Sequence, residues 1–527
     1  MPSLYDNIKK YENTSLNALY FENKSVSYKK LIINIKKMIS YFIKHGINKN
    51  DVVTLVLPNI PISIYCLYAL NAMGVKINIV HPLSTYKSII ESMKKTNSKY
   101  AIVLATSFES IKKNNYTDFT FFFTNPLFDK NMLSRHIFYL KYPHIKENNK
   151  YKLIDNYIKE KACENNFECT DNDDCIYLHS GGTTGTPKTI ALSNNAINNL
   201  VNKVKSSIIF DNIQGESMLA VLPMFHGFGL AMGIHAPLSN GASCALMMKF
   251  NQNKTIKWIN QNKISLMIGV PVLYQKLYEN EKFKNSKLTN LKFCFVGGDN
   301  VNVSLISKFN ELMKQKNSNC MLLEGYGLTE TVTVCSVNTK KDFKLSSVGK
   351  PLKGITFKVL DESLNELKVN EIGELYISGD TLMNSYLNDI VETTNTIISI
   401  DNKKWIKTGD LAYIDEEGFI YLKGRIKRMF KVSGINVYPS EVEKLAMQID
   451  DVFDASLEYN NNHLVLFVIK NKSSNKSEDE IITNIYNILN ENLLKYSIPK
   501  KIIIINEFPK TNVGKIDHKA LSKKENG

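Results

Sequence analysis

Eight cysteines are scattered through 527 residues, and the pattern that would give them a structural job is missing. Cys163, Cys169 and Cys175 are evenly spaced, but no C-x-x-C pair and no histidine-rich partner accompanies them. That excludes the usual zinc frameworks and leaves free thiols in a reducing cytoplasm as the expected state. Long apolar runs are also missing. The most apolar early segment, Val52–Val80, is broken by Pro58, Asn59, Pro61, Asn71 and Lys76, so it reads as strand plus helix rather than a membrane span. Met1–Ser15 has no apolar core or cleavage signature, so no secretory leader is expected. The net charge of +15 has no pattern: lysine is mixed with Asn and Ile, as at Lys146–Lys152 and Lys470–Lys476. Without a basic stripe or interleaved aromatics, no nucleic-acid partner is expected, and at most peripheral contact with an anionic membrane. Internal repeats are absent. With 43% hydrophobic and 22% charged residues, the chain has the balance of a multidomain globular protein, long enough to bury a core without staples.

Glycine is sparse, 25 in all, which makes its clusters informative. The first is His179-Ser180-Gly181-Gly182-Thr183-Thr184-Gly185-Thr186-Pro187-Lys188, preceded by the apolar run Cys175–Leu178, which reads as a buried strand. Three glycines let backbone N–H groups turn toward an anion, the threonine hydroxyls add donors, and Lys188 adds a point charge. A polyphosphate suits such a loop, although Gly/Thr/Pro runs also serve as plain surface turns. A Walker A loop needs Gly directly before Lys and a helix at once. Here Pro187 precedes Lys188, Thr189–Leu192 reads as another strand, and Ser193 reads as the N-cap of a helix over 194–203.

Further clusters are Phe295-Val296-Gly297-Gly298-Asp299, Glu324-Gly325-Tyr326-Gly327-Leu328-Thr329-Glu330-Thr331, Lys407–Asp410, Leu422–Arg425 and Pro509–Lys515. Several follow strand-like runs (Leu291–Val296, Cys320–Leu323, Lys501–Ile505), with helical patterns over Val301–Lys314 and 254–262 between them. Small residues at strand ends are where α/β sheets bind ligands, and the alternation predicts an α/β fold.

In this order, the six segments resemble the adenylate-forming superfamily of acyl-CoA synthetases, firefly luciferase and peptide-synthetase adenylation domains. The likeness spans nearly the whole chain and is greatest to stand-alone fatty-acid–CoA ligases. It implies a large N-terminal domain over residues 1–426, with two doubly wound α/β lobes and a small β-barrel. A small mobile α+β lid over 427–527 would follow. ATP, Mg²⁺ and coenzyme A are the implied cofactors.

Residue by residue, the resemblance gives Thr183, Thr184, Gly185, Thr186 and Lys188 to the β- and γ-phosphates. It gives Glu330 to Mg²⁺, with Thr329 near the α-phosphate; helix capping is the alternative for both. Tyr326 would lie against adenine, flanked by Gly325 and Gly327, with Gly297, Gly298 and Asp299 opposite. Asp410 would accept the ribose hydroxyls, and Arg425 would reach the sugar or phosphate. His226, in Leu222–Gly229, would stand near the substrate carboxylate with Phe228 and Gly229 in the acyl pocket; a packed core histidine is the alternative. Lys515 would bridge carboxylate and α-phosphate, unless it belongs to a solvated basic tail. Lys427 would be the hinge, and Lys431, Ser433 and Gly434 would line the pantetheine tunnel. Two departures stand out: Gly181 where many members have Ser, and Thr189 in place of the usual Gly after the loop lysine.

Acetate-specific relatives place a Trp after the adenine-side aromatic. Gly327 there, with Gly325, Gly227 and Gly229, is expected to leave volume, lined by Met224, Ala231 and Met232. A medium- or long-chain fatty acid is the first expectation and an aromatic acid the second. Loading of a separate acyl carrier protein and a catalytically inactive binding homologue stay open.

Overall fold

A computed structural model describes residues 2–114, 118–126, 145–163, 172–180, 188–207, 213–432, 435–461, 463–510 and 516–525. Two large sheets dominate. The first has eight strands, in spatial order Ser385–Tyr386, Thr189–Ser193, Asp174–His179, Lys76–Ile79, Val52–Val56, Tyr100–Leu104, Thr120–Thr124 and Tyr151–Leu153. From Asp174–His179 to the Tyr151–Leu153 edge its neighbours are parallel; the two strands at the other edge are antiparallel. The second has nine strands, with a parallel centre of Ser243–Leu246, Ser217–Ala220, Leu266–Gly269, Phe293–Val296 and Leu322–Gly327.

The helix Pro61–Ala72 has every residue buried and no polar face, as a helix enclosed on all sides requires. The expected strand-plus-helix reading of Val52–Val80 is therefore what forms. The helix Asn194–Ser207 buries Ile197, Leu200, Val201 and Val204 at helical spacing, and Ser193 caps it by accepting from the Ala196 N–H at 3.1 Å. The helix Val303–Gln315 does the same with Leu305, Ile306, Phe309 and Leu312, capped by Asn302.

Where a small barrel was expected, the strands Thr356–Leu360, Gly373–Ser378, Lys403–Ile414, Ile397–Ile400 and Ile420–Arg425 form a five-stranded antiparallel sheet. Val348 and Gly349 bond to Ile420 beside it. Beyond residue 430 a three-stranded sheet, Val452–Asn460, His463–Lys470 and Lys501–Ile505, carries its own apolar core. Val442, Leu457, Leu466, Ile485 and Leu489 lie in it. Among the described residues no helix is long and apolar enough to cross a membrane. Cys66, Cys163, Cys175, Cys244, Cys294, Cys320 and Cys335 form no disulfide.

Candidate functional site

Thr183, Thr184, Gly185, Thr186, Ser433, Gly434 and Lys515 lie outside the described residues. The others fall into four groups.

The first is centred on Asp410. The strands Lys403–Ile414 and Ile420–Arg425 pair in a register that sets Asp410 opposite Arg425. Arg425 Nε donates to Asp410 Oδ1 at 2.7 Å, and the Tyr326 hydroxyl donates to Asp410 Oδ2 at 2.5 Å. Gly409, at φ +70°, supplies a left-handed backbone that an L side chain resists, at a register shift in the strand just before Asp410. Burial, reinforced by the Asp410 charge, holds the Tyr326 phenol well above its ordinary value, so it stays a donor.

The second group lines the neighbouring strand end. A Cβ on Gly297 would sit 2.8 Å from the Gly325 carbonyl oxygen, so the two glycine segments touch through backbone. Gly298, at φ +83°, turns the chain outward to the exposed Asp299, whose carboxylate accepts from the Asn300 N–H.

The third group joins Lys188 to Glu330. Lys188 Nζ forms an ion pair with Glu392 and lies 4.7 Å from the centroid of the Tyr386 ring. The Tyr386 hydroxyl donates to Glu330 Oε1 at 2.8 Å. Tyr386 reaches this place because the strand Ser385–Tyr386 pairs with Ile190 and Ala191, just after Lys188. Thr329 and Glu330 occupy a short 3₁₀ turn ended by Val332, whose φ of +68° is strained for a β-branched residue. Arg425 also feels the charge of the Glu330 carboxylate, which brings the first and third groups near one another. Among the described residues no cluster of three His, Cys, Asp or Glu side chains could hold a metal. A single carboxylate is the donor set suited to an ion that arrives on phosphate oxygens, as magnesium does.

The fourth group surrounds half-buried His226. Phe225 lies between two imidazoles, with its ring centroid 4.4 Å from His226 and 4.4 Å from His81. Desolvation lowers the pKa of His81, which therefore favours the neutral ring. Phe228 opens the π-helix Phe228–His235, a rare geometry that is frequent at functional sites. The glycines here correct the sequence-based expectation. A Cβ on Gly227 would meet the Val332 carbonyl oxygen at 1.9 Å, on Gly229 that of Pro223 at 2.1 Å, and on Gly327 that of Thr333 at 1.5 Å. Their missing side chains allow backbone to pack on backbone and leave no open volume on that side. A small apolar cavity of about 20 Å³ lies farther along, lined by Val201, Met218, Met232, Ile268 and Phe295.

Lys427 and Lys431 are both exposed, in the turn Ile426–Arg428 and the strand Phe430–Val432. Sequence reasoning missed His81, Tyr386 and Glu392. None lies in a glycine cluster, and strand pairing or packing alone brings them to these groups.

A family model described as AMP-binding enzyme matches residues 8–387. The long-chain-fatty-acid–CoA ligase of Bacillus subtilis (strain 168) is 26% identical over 535 residues, covering 96% of this chain and 91% of its own length. The 4-coumarate–CoA ligase 2 of Nicotiana tabacum is 26% identical over 520 residues, covering 95% and 90%. In fold, the crystal structure of an anthranilate CoA ligase in complex with anthranoyl-AMP is similar with a TM-score of 0.87 at 19% identity. That match covers 100% of this chain and 98% of the other.

Proposed function

Because the chain belongs to the AMP-binding enzyme family, we propose that it activates a carboxylic acid with ATP and passes the acyl group to coenzyme A. A carboxylate oxygen attacks the α-phosphorus, the bond to the β-phosphate oxygen breaks, and acyl-AMP and pyrophosphate form. The CoA thiolate then attacks the acyl carbonyl and AMP leaves with the electron pair. The observation that carries this reading is the nearness of two groups that would face one cleft: Asp410 with Arg425, suited to a sugar, and Lys188 beside Glu330, suited to phosphate. In that cleft Tyr326 would pack on adenine, and Gly297, Gly298 and Asp299 would face it. Lys188 would offset the charge of departing pyrophosphate. Bound magnesium would supply Lewis-acid neutralisation of the phosphates, held on the protein side by Glu330. Lys515 would contribute the charge that meets the α-phosphate and carboxylate.

The lid is proposed to turn at Lys427. Arg425 is tied back to Asp410 at 2.7 Å, whereas Arg428 is tied forward to Glu443 at 2.8 Å. Ile426 and Lys427 thus lie between two anchored side chains, which suits a hinge. After rotation, Lys431, Ser433 and Gly434 would line the path of the pantetheine arm.

We propose a medium- or long-chain fatty acid as substrate. The first relative named above supports that choice. An aromatic acid is the second reading; the Phe225 ring between His226 and His81 favours it. The free thiols suit a reducing cytoplasm. Acid-dependent ATP–pyrophosphate exchange across fatty acids of graded length and a set of aryl acids tests the proposal, followed by thioester assay with CoA. Exchange that peaks with a C8–C18 acid and yields acyl-CoA is expected. Peak exchange with an aryl acid selects the second reading, and transfer only to an acyl carrier protein replaces CoA as the acceptor. Exchange with no acid would leave an inactive binding homologue.

A further inference from the structure

The departure at Thr189 has a partner. In the register of the antiparallel strands Asp174–His179 and Thr189–Ser193, the apolar pair Leu178–Ile190 is followed by His179–Thr189. There the Thr189 hydroxyl lies 3.2 Å from His179 Nδ1. His179 Nε2 lies 2.7 Å from Asn78 Oδ1, with Ser92 Oγ at 3.3 Å. Asn78 Nδ2 in turn donates to Thr54 Oγ1 and to Ser92 Oγ, each at 3.0 Å. Since Asn78 presents its carbonyl oxygen, Nε2 carries the imidazole proton and Nδ1 accepts from Thr189. One polar side chain from each of four adjacent strands therefore forms a row across the sheet: Thr189, His179, Asn78 and Thr54. Thr189, Asn78 and Thr54 are fully buried. Desolvation, helped by the Lys95 charge, pushes His179 down to about 4, so the ring is neutral at physiological pH.

Stability alone does not call for such a row. Apolar β-branched residues would hold the hairpin at least as well, and buried polar networks serve to fix one geometry. What the row fixes is the neck next to Lys188. The Ser180 N–H donates to the Lys188 carbonyl at 3.0 Å, and the Lys188 N–H meets Ser180 Oγ at 3.3 Å. On its other side, Thr189 O accepts from the Leu387 N–H at 2.8 Å, next to Tyr386. Thr189 is thus held from both flanks, one bond away from the residue whose ammonium group enters the cleft.

We propose that His179 is a positioning residue for Lys188: its hydrogen bond to Thr189 sets the direction in which the ammonium meets the terminal phosphates of the nucleotide. This rests on the ATP reading above. The pair acts at the phosphate end, so it distinguishes a triphosphate from AMP.

Thr189→Val keeps shape and β-branching while removing the hydroxyl, and Thr189→Ser restores it. His179→Phe keeps a ring but removes both nitrogens. The readouts are KM for ATP and for the acid in pyrophosphate exchange, AMP and ATP affinity by calorimetry, and Tm. For Thr189→Val and His179→Phe, KM for ATP is expected to rise about three- to tenfold, the scale of one hydrogen bond. AMP affinity and KM for the acid should stay within about twofold, and Thr189→Ser should recover. An unmoved KM for ATP in Thr189→Val overturns the inference. So do parallel losses in ATP, AMP, acid and Tm, which mark a merely structural pair. A wild-type protein that binds no ATP in the calorimeter overturns the ATP reading and this inference together; intact ATP binding with an unresponsive Thr189→Val overturns only the inference.

Discussion

Asp410 holds two protein donors at once, Arg425 on one oxygen and Tyr326 on the other, and that fixes the orientation of its carboxylate. Asp410→Asn replaces an acceptor with an amide that must present N–H groups to at least one of these donors. AMP affinity should fall about 10- to 100-fold, since hydrogen bonds to a charged group are worth about 1.5–3 kcal/mol. Tyr326→Phe removes only one preordering contact, and calorimetry with AMP should register a loss of about threefold. Asp410, Arg425 and Tyr326 stood out in the sequence because each adjoins a glycine in a short cluster, although all three lie in strands. Tyr386 and Glu392 were not. They meet Lys188 across roughly two hundred residues of chain through pairing at a sheet edge, and no local pattern encodes that pairing.

At the scale of elements, Gly297 and Gly298 follow a strand end as expected, whereas Gly409 lies inside the strand Lys403–Ile414, and the purpose of the glycines could not be read in one dimension. Gly227, Gly229 and Gly327 admit neighbouring backbone, a fact set by how the π-helix and the turn before Val332 pack. Gly227→Ala would force a Cβ onto the Val332 carbonyl oxygen, at 1.9 Å. Such overpacking should cost about 3 kcal/mol or more, read as a lowered Tm or loss of soluble protein. Gly233→Ala, in the same helix, meets nothing closer than the Ile268 side chain at 3.5 Å and should stay within about 1 kcal/mol.

The last residue of that helix, His235, is wholly buried between the Tyr68 hydroxyl, 3.1 Å from Nδ1, and Asn198 Oδ1, 2.9 Å from Nε2. Burial, with the Lys10 charge, pushes its pKa down to about 3. The unfolded chain then takes up the proton first as pH falls. The contribution is fully present above the unfolded value of about 6.5 and shrinks as pH drops below it, by about 2 kcal/mol at pH 5. Glu324 and Asp454, both raised to about 7 mainly by burial, act in the opposite sense between about pH 4 and 7. The comparison with His235→Gln isolates the histidine: the stability gap between the two proteins should narrow from pH 7 to pH 5 in denaturant titrations. A gap that stays constant would contradict a buried neutral ring.

Across the whole molecule, the sequence displayed the α/β alternation and the order of the segments. The position of the small C-terminal sheet against the body was not readable. Asn302 and Lys308, on and before one helix, bond to the Met447 carbonyl and to Asp450, a seam between residues about 145 apart in the chain. If the lid turns between the Arg425 and Arg428 anchors, Lys427→Pro should leave pyrophosphate exchange within about twofold while thioester formation falls by orders of magnitude. Equal loss of both steps would remove the hinge from the account. The most direct measurement of the central claim is the position at which ATP is cut. With α-labelled ATP, the preferred acid and no CoA, acid-dependent label in acyl-AMP is expected, with an equal amount of pyrophosphate. Label recovered in ADP, with free phosphate as co-product, would contradict it.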